Sequence, residues 1–168
     1  MKKVKMNNTD IWVSEISYGT ASLGLGGNIE EEYAMLDAFI DAGGNFIDTA
    51  RVYSDWVPGE RGRSERVLGE WLKARRHPNE IVIATKGGHP EFGEMHKSRL
   101  TSEDVEHDIK LSLKGLGVER IDLYYLHRDD RSLPVEYIID YLEHFRARGY
   151  IRYYACSYRM PAFSYREP

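Results

Sequence analysis

Strand-like and helix-like runs alternate along nearly the whole of this 168-residue chain, and that alternation restricts its fold more than any other feature. A helix between two strands returns the chain to the end it left, so successive strands run parallel. A hairpin is predicted first, at Lys3–Met6 and Ile11–Ser14, around the Asn7-Asn8 pair that tolerates a tight turn. Five strands are then predicted at Ile16–Thr20, Asn45–Thr49, Ile81–Thr85, Ile121–Leu126 and Ile151–Cys156. Four helices separate them, at Glu30–Ala42, Ser64–Ala74, Ser102–Leu116 and Val135–Arg148. Their ends carry the expected signals. Asn28 is placed to cap the first helix and Gly43-Gly44 to stop it, and Thr101 with Asp104 makes a capping-box start for the third. Pro134 opens the fourth and Gly149 closes it.

Composition removes several classes of protein. With 42% hydrophobic residues, a chain of this length can bury one sizeable core, so one domain is expected. The 27 acidic and 23 basic residues are well mixed, and no basic stripe suggests a nucleic-acid partner. No stretch approaches the length of a membrane span. The one cysteine, Cys156, has no partner for an internal disulfide, which suits a reducing, cytoplasmic setting.

Three of the predicted strands run into an ionisable residue at the carboxyl end: NFIDTA at Asp48, IVIATK at Lys86 and IDLYYLH at His127. Tyr53 follows Asp48 by five residues, in the next loop. Active sites of parallel α/β sheets gather at the carboxyl ends of the strands, so these four side chains would face one another across a mouth. An ammonium beside a phenol stabilises tyrosinate, the Asp holds the ammonium, and the phenol can then protonate a carbonyl oxygen. Singly the residues say little. Asp48 reads as a turn residue, Lys86 as a solvated strand end, His127 as the head of a polar loop, and Tyr53 as one of 12 tyrosines. The joint pattern carries the inference.

A parallel sheet is either open and doubly wound or closed as a barrel. The dinucleotide fingerprint G-x-G-x-x-G is missing, since the first turn reads GTASLGLGG. The polar strand ends also fall on consecutive strands, as a ring-shaped mouth requires. The expected class is therefore α/β, of the (β/α)8 TIM-barrel type. Within IDLYYLH, alternation puts Ile121, Leu123, Tyr125 and His127 on the barrel's inner face.

The segments NFIDTARVY, RSERVLGEWLKA, IVIATKGG and IDLYYLHRDD, in that order, resemble those of aldo-keto reductases, from about Lys3 to Ser157. The resemblance implies a barrel that binds NADPH without a Rossmann domain and reduces aldehydes or ketones, its partner being a small-molecule carbonyl substrate. It implies Tyr53 as general acid, Lys86 as its activator, Asp48 as the partner of Lys86, and His127 as the residue that orients the carbonyl. Gly19, Thr20, Asp48 and Ser157 would contact the cofactor.

Departures from the family's pattern shape further expectations. A full barrel takes eight strands and about 250 residues, against five strands here. The reading is thus an incomplete barrel over 1–157, truncated after the fifth main strand by a natural end, a frameshift or an artificial boundary, with an irregular tail over 158–168. Open strand edges imply self-association. Two functional readings stay open: an NADPH-dependent carbonyl reductase, or a non-catalytic remnant acting as a binding or self-associating module. The aromatic end, with Tyr153, Tyr154, Tyr158, Phe163 and Tyr165, motivates the second. The spacing of His89 and His96 offers no metal site, and Gly24, Gly26 and Gly27 read as a flexible loop rather than a phosphate cradle.

Overall fold

The computed structural model describes residues 1–75 and 81–157. The tail expected over 158–168, with Tyr158, Phe163 and Tyr165, lies outside the described residues. A two-stranded antiparallel hairpin comes first, β1 (Lys3–Lys5) with β2 (Trp12–Ser14). Asn8, at φ 58°, takes the left-handed conformation that its turn requires.

Five parallel strands follow: β3 (Tyr18–Gly19), β4 (Phe46–Asp48), β5 (Val82–Gly87), β6 (Ile121–Leu126) and β7 (Ile151–Cys156). Between them run α1 (Ile29–Asp41), α2 (Arg63–Arg75), α3 (Ser102–Leu116) and α4 (Val135–Ala147). Each strand pairs with the one before it, in the order β3-β4-β5-β6-β7. A doubly wound sheet reverses its order at a switch point. An unbroken order with right-handed crossovers keeps the helices on one face and leaves the other as an inner surface. The architecture is α/β, consistent with part of a (β/α)8 barrel.

The helix ends form as their residues dictate. The Asn28 side chain accepts from the Glu30 amide, Thr101 accepts from the Asp104 amide, and Gly117 ends α3 at φ 67°. Pro134 takes the N-cap position of α4 and gives no side-chain cap.

Two apolar layers join helices to sheet. Leu36, Phe39, Leu68 and Trp71 pack on Ile47 and Ile83, while Val105, Ile109, Leu142 and Phe145 pack on Tyr124 and Leu126. Each fully buried Leu, Ile or Phe contributes about 1.5–3 kcal/mol. The helices α2 and α3 touch where a Cβ on Gly69 would collide with the Gly115 carbonyl. Ile121 belongs to the helix-side layer rather than to the inner face that alternation assigned it. It starts its strand, where it packs together with Ile151 in the layer of α3 and α4.

The hairpin closes the amino-terminal end of the inner surface. Ile11 and Val13 cover Val82 there, and the Asn45 side chain joins the Ser14 amide to the Trp12 carbonyl. Chemistry is thereby confined to the carboxyl end. Among the described residues no helix is long and apolar enough to cross a membrane.

Candidate active site

The strand register brings the site together. Gly19 lies opposite Asp48, Asp48 opposite Ala84, and Lys86 opposite Tyr125. Alternation turns Asp48, Lys86 and Tyr125 to the inner surface. Just past the strands the ladder continues: the Thr20 amide donates to Asp48 O, Arg51 to Lys86 O, His127 to Gly87 O and Ser157 to Leu126 O. Every residue singled out at a strand end is thus fixed by its backbone.

Lys86 is the hub. Its buried ammonium donates to both Asp48 carboxylate oxygens at 2.7 Å, to Thr49 O at 2.9 Å and to Tyr53 Oη at 3.0 Å. An ammonium only donates, so Tyr53 Oη is the acceptor here and its own O–H points away from Lys86. That is the orientation in which a phenol can give up its proton. Tyr125 also lies near, with its ring centroid 6.0 Å from Lys86 Nζ. Burial and the Asp48 charge push that phenol upward.

The Tyr53 loop is held by a residue that the sequence did not single out. Ser54 is fully buried at φ 69°, and its hydroxyl lies 2.8 Å from Leu23 O and 3.1 Å from Ala21 O. A left-handed Ser directly after Tyr53 is a strained backbone state that its surroundings must hold in place. Trp56, in the same loop, is about half exposed.

His127 stands edge-on to Tyr53, with ring centroids 5.9 Å apart. Its Nδ1 is buried and finds no hydrogen-bond partner among the described residues. Burial first, then the neighbouring His89 imidazole and the charges of Lys86 and Arg128, push the ring down to about 3, so it is a neutral imidazole at ordinary pH. A second ring, His89, sits 5.1 Å from it. In the sequence His89 stood out only as a candidate metal ligand with His96, and its weight here comes from the turn that folds it back.

That turn is anchored from behind. Asp108 of α3 accepts from the Gly88 amide at 2.9 Å and pairs with Arg99, which also donates to His89 O at 3.2 Å. A Cβ on Gly87 would collide with Tyr124 Oη, so only glycine lets the strand end pass here. Behind Lys86, Glu65 of α2 is enclosed and accepts from Thr85 Oγ1 at 2.6 Å. Burial pushes its carboxyl up to about 7.

The expected cofactor contacts differ in how open they are. A Cβ at Gly19 would meet nothing within 4 Å, so the strand end presents free space beside Asp48. Thr20 is buried, with its hydroxyl shared between Asp48 O and Ser64 Oγ. Ser157 is exposed at the end of β7. The glycine run is no open cradle, because the Glu32 carboxylate takes the Gly24 and Gly26 amides at 2.6 Å each. No group of three or more His, Cys, Asp or Glu among the described residues could hold a metal ion.

Comparison with known proteins agrees with this geometry. The model of the aldo/keto reductase family matches residues 15–163. The chain belongs to that family. It is 33% identical over 159 residues to the uncharacterized oxidoreductase YqkF of Bacillus subtilis, covering 94% of this chain and 49% of the relative. It is 33% identical over 168 residues to the norsolorinic acid reductase of Aspergillus flavus, covering 92% of this chain and 42% of that protein. The holo form of an aldo-keto reductase from Bacillus halodurans superimposes with a TM-score of 0.77 at 32% identity, over 94% of this chain and 50% of its own. The chain thus spans about half the length of the relatives it matches.

Proposed function

We propose that this chain carries the reducing centre of an NAD(P)H-dependent oxidoreductase that converts an aldehyde or ketone to an alcohol. One observation carries the reading: Lys86 Nζ is bonded at once to the Asp48 carboxylate and to Tyr53 Oη. Family membership, and relatives named as an oxidoreductase and a reductase, support it. In this reading residues 1–157 act as one unit, and a reducing, cytoplasmic setting suits the lone thiol of Cys156.

The residues present fit a nicotinamide cofactor, and the family resemblance makes NADPH the choice to test. The free space at Gly19 admits a flat ring beside Asp48, with Thr20 just past the end of β3 and Ser157 just past the end of β7. When bound, the cofactor supplies the hydride. Everything else falls to the protein. Neutral His127 donates a hydrogen bond to the substrate oxygen and holds the carbonyl over the mouth. Tyr53 passes its proton to that oxygen as negative charge develops there. Lys86 stabilises the tyrosinate left behind, and Asp48 fixes Lys86 and balances its charge.

Nicotinamide fluorescence tests the cofactor half of the proposal. Titrating NADPH with the protein should quench or shift its emission, and Gly19→Val, which fills the open space, should weaken the response at least about tenfold. An unchanged emission spectrum at high micromolar protein would reject it.

A further inference from the structure

His89 lies outside the four-residue cluster, yet its two ring nitrogens are both engaged. Nδ1 lies 2.7 Å from Pro90 O, and Nε2 lies 3.0 Å from Arg128 Nη2. A carbonyl oxygen can only accept and a guanidinium can only donate. The proton therefore sits on Nδ1 and the lone pair on Nε2, and His89 is fixed as one neutral tautomer. A second proton would have to point at the Arg128 N–H. The ring is buried, at 5% exposure, and Arg99 and Asp108 hold the backbone that carries it.

We propose that His89 is a positioning residue for His127: a neutral imidazole that braces the His127 ring and tethers the Arg128 charge close by, so that His127 works as an uncharged hydrogen-bond donor. The inference rests on the reading of His127 as the group that orients the carbonyl. Four groups bear on the His127 ring. Lys86 faces it from β5, Tyr53 from the loop after β4, His89 from the loop after β5, and Arg128 from its own loop. Around His89 stand Arg128, Arg99 and Glu91, with Phe92 packed on the ring at 5.5 Å. Cations outnumber anions about both imidazoles, and the Nε2 lone pair gives one Arg128 N–H an acceptor beside them. A charged His127 beside Lys86 would compete with Tyr53 as the proton donor. A neutral one leaves Tyr53 as the acid.

The test is a histidine side-chain titration by NMR on the 168-residue chain labelled at histidine. It reads His127 directly and needs no turnover. His127 should stay neutral down to about pH 4, in keeping with a midpoint near 3. In His89→Phe the ring volume remains but the acceptor for Arg128 and the His89 imidazole's own influence on His127 are lost, and the His127 midpoint should rise by about one pH unit or more. His89→Gln, whose amide oxygen can stand where Nε2 stands and accept from Arg128, should bring the midpoint part of the way back down. Arg128→Gln removes the charge itself and should raise the midpoint as His89→Phe does, which covers the case in which the aromatic variant does not fold. An identical His127 midpoint in all folded variants would overturn the inference, even in a protein that reduces carbonyls. A midpoint that moves as described in a protein without reductase activity would uphold it and count against the proposed function alone.

Discussion

Lys86 has three N–H bonds to give, and Asp48, Thr49 O and Tyr53 Oη take them all. Lys86→Met keeps the stem and removes the donors, so Tyr53 loses the cation that would stabilise its anion. Carbonyl reduction should fall by about 10²–10⁴-fold in kcat, the range of a lost acid catalyst, as checked by steady-state kinetics. His127 makes a prediction of a different kind. Its folded-state value near 3 lies below the unfolded value of about 6.5, so the unfolded chain binds the extra proton first. Its contribution to stability is therefore present above about pH 6.5 and is lost as pH falls toward 3. Denaturant melts between pH 7 and 4 should show a decline that is shallower in His127→Gln.

At the scale of elements, α2 and α3 meet through glycine and bury charge. Gly69→Ala sets a methyl group against the Gly115 carbonyl, and forcing the helices apart should cost about 1–3 kcal/mol in a urea melt, whereas most exposed helix glycines gain from the same change. Glu65 works with the opposite sign to His127. Its folded value of about 7 exceeds the ordinary 4.5, so the protonated form suits the fold and stability drains away as pH rises through 7. Glu65→Gln keeps an acceptor for Thr85 and carries no charge. It should raise the melting temperature clearly at pH 8 and little at pH 5. These elements were legible in the sequence wherever the signal was local. Asn28, Thr101 and Asp104 marked helix starts that the structure reproduces, and of the residues at helical spacing in α3, Val105, Ile109 and Leu116 are buried while Leu113 is half-buried. Ile121 was misassigned because strict alternation ignores the strand's first residue, which here packs with the helix-side layer. Ser54 left no local signal, and His89 was visible only as a histidine whose spacing to His96 fits no metal site. Their roles depend on loops folding back over long sequence distances, onto Leu23 and Arg128 respectively.

For the whole molecule, the decisive property is strand order. Because each strand adds beside its predecessor, Asp48, Lys86 and His127 arrive on neighbouring strands at one end, and Tyr53 drops in from the intervening loop. The strand-ending positions of Asp48, Lys86 and His127 were readable from the sequence. The direction of the Tyr53 proton, the neutral state of His127 and the tautomer of His89 were not, since each depends on distances of a few ångströms between distant segments. The central claim is that this cluster reduces a carbonyl with Tyr53 as its acid. The direct measurement is loss of NADPH absorbance with nitrobenzaldehyde as substrate. It should be followed with and without a polypeptide carrying the half of the Bacillus halodurans relative that this chain does not cover. We expect NADPH consumption and alcohol formation in step, with a loss of about 10²–10⁴-fold when Tyr53→Phe is substituted into this chain. Equal rates from the parent and the Tyr53→Phe chain, or bound NADPH that reduces no aldehyde in either mixture, would contradict it.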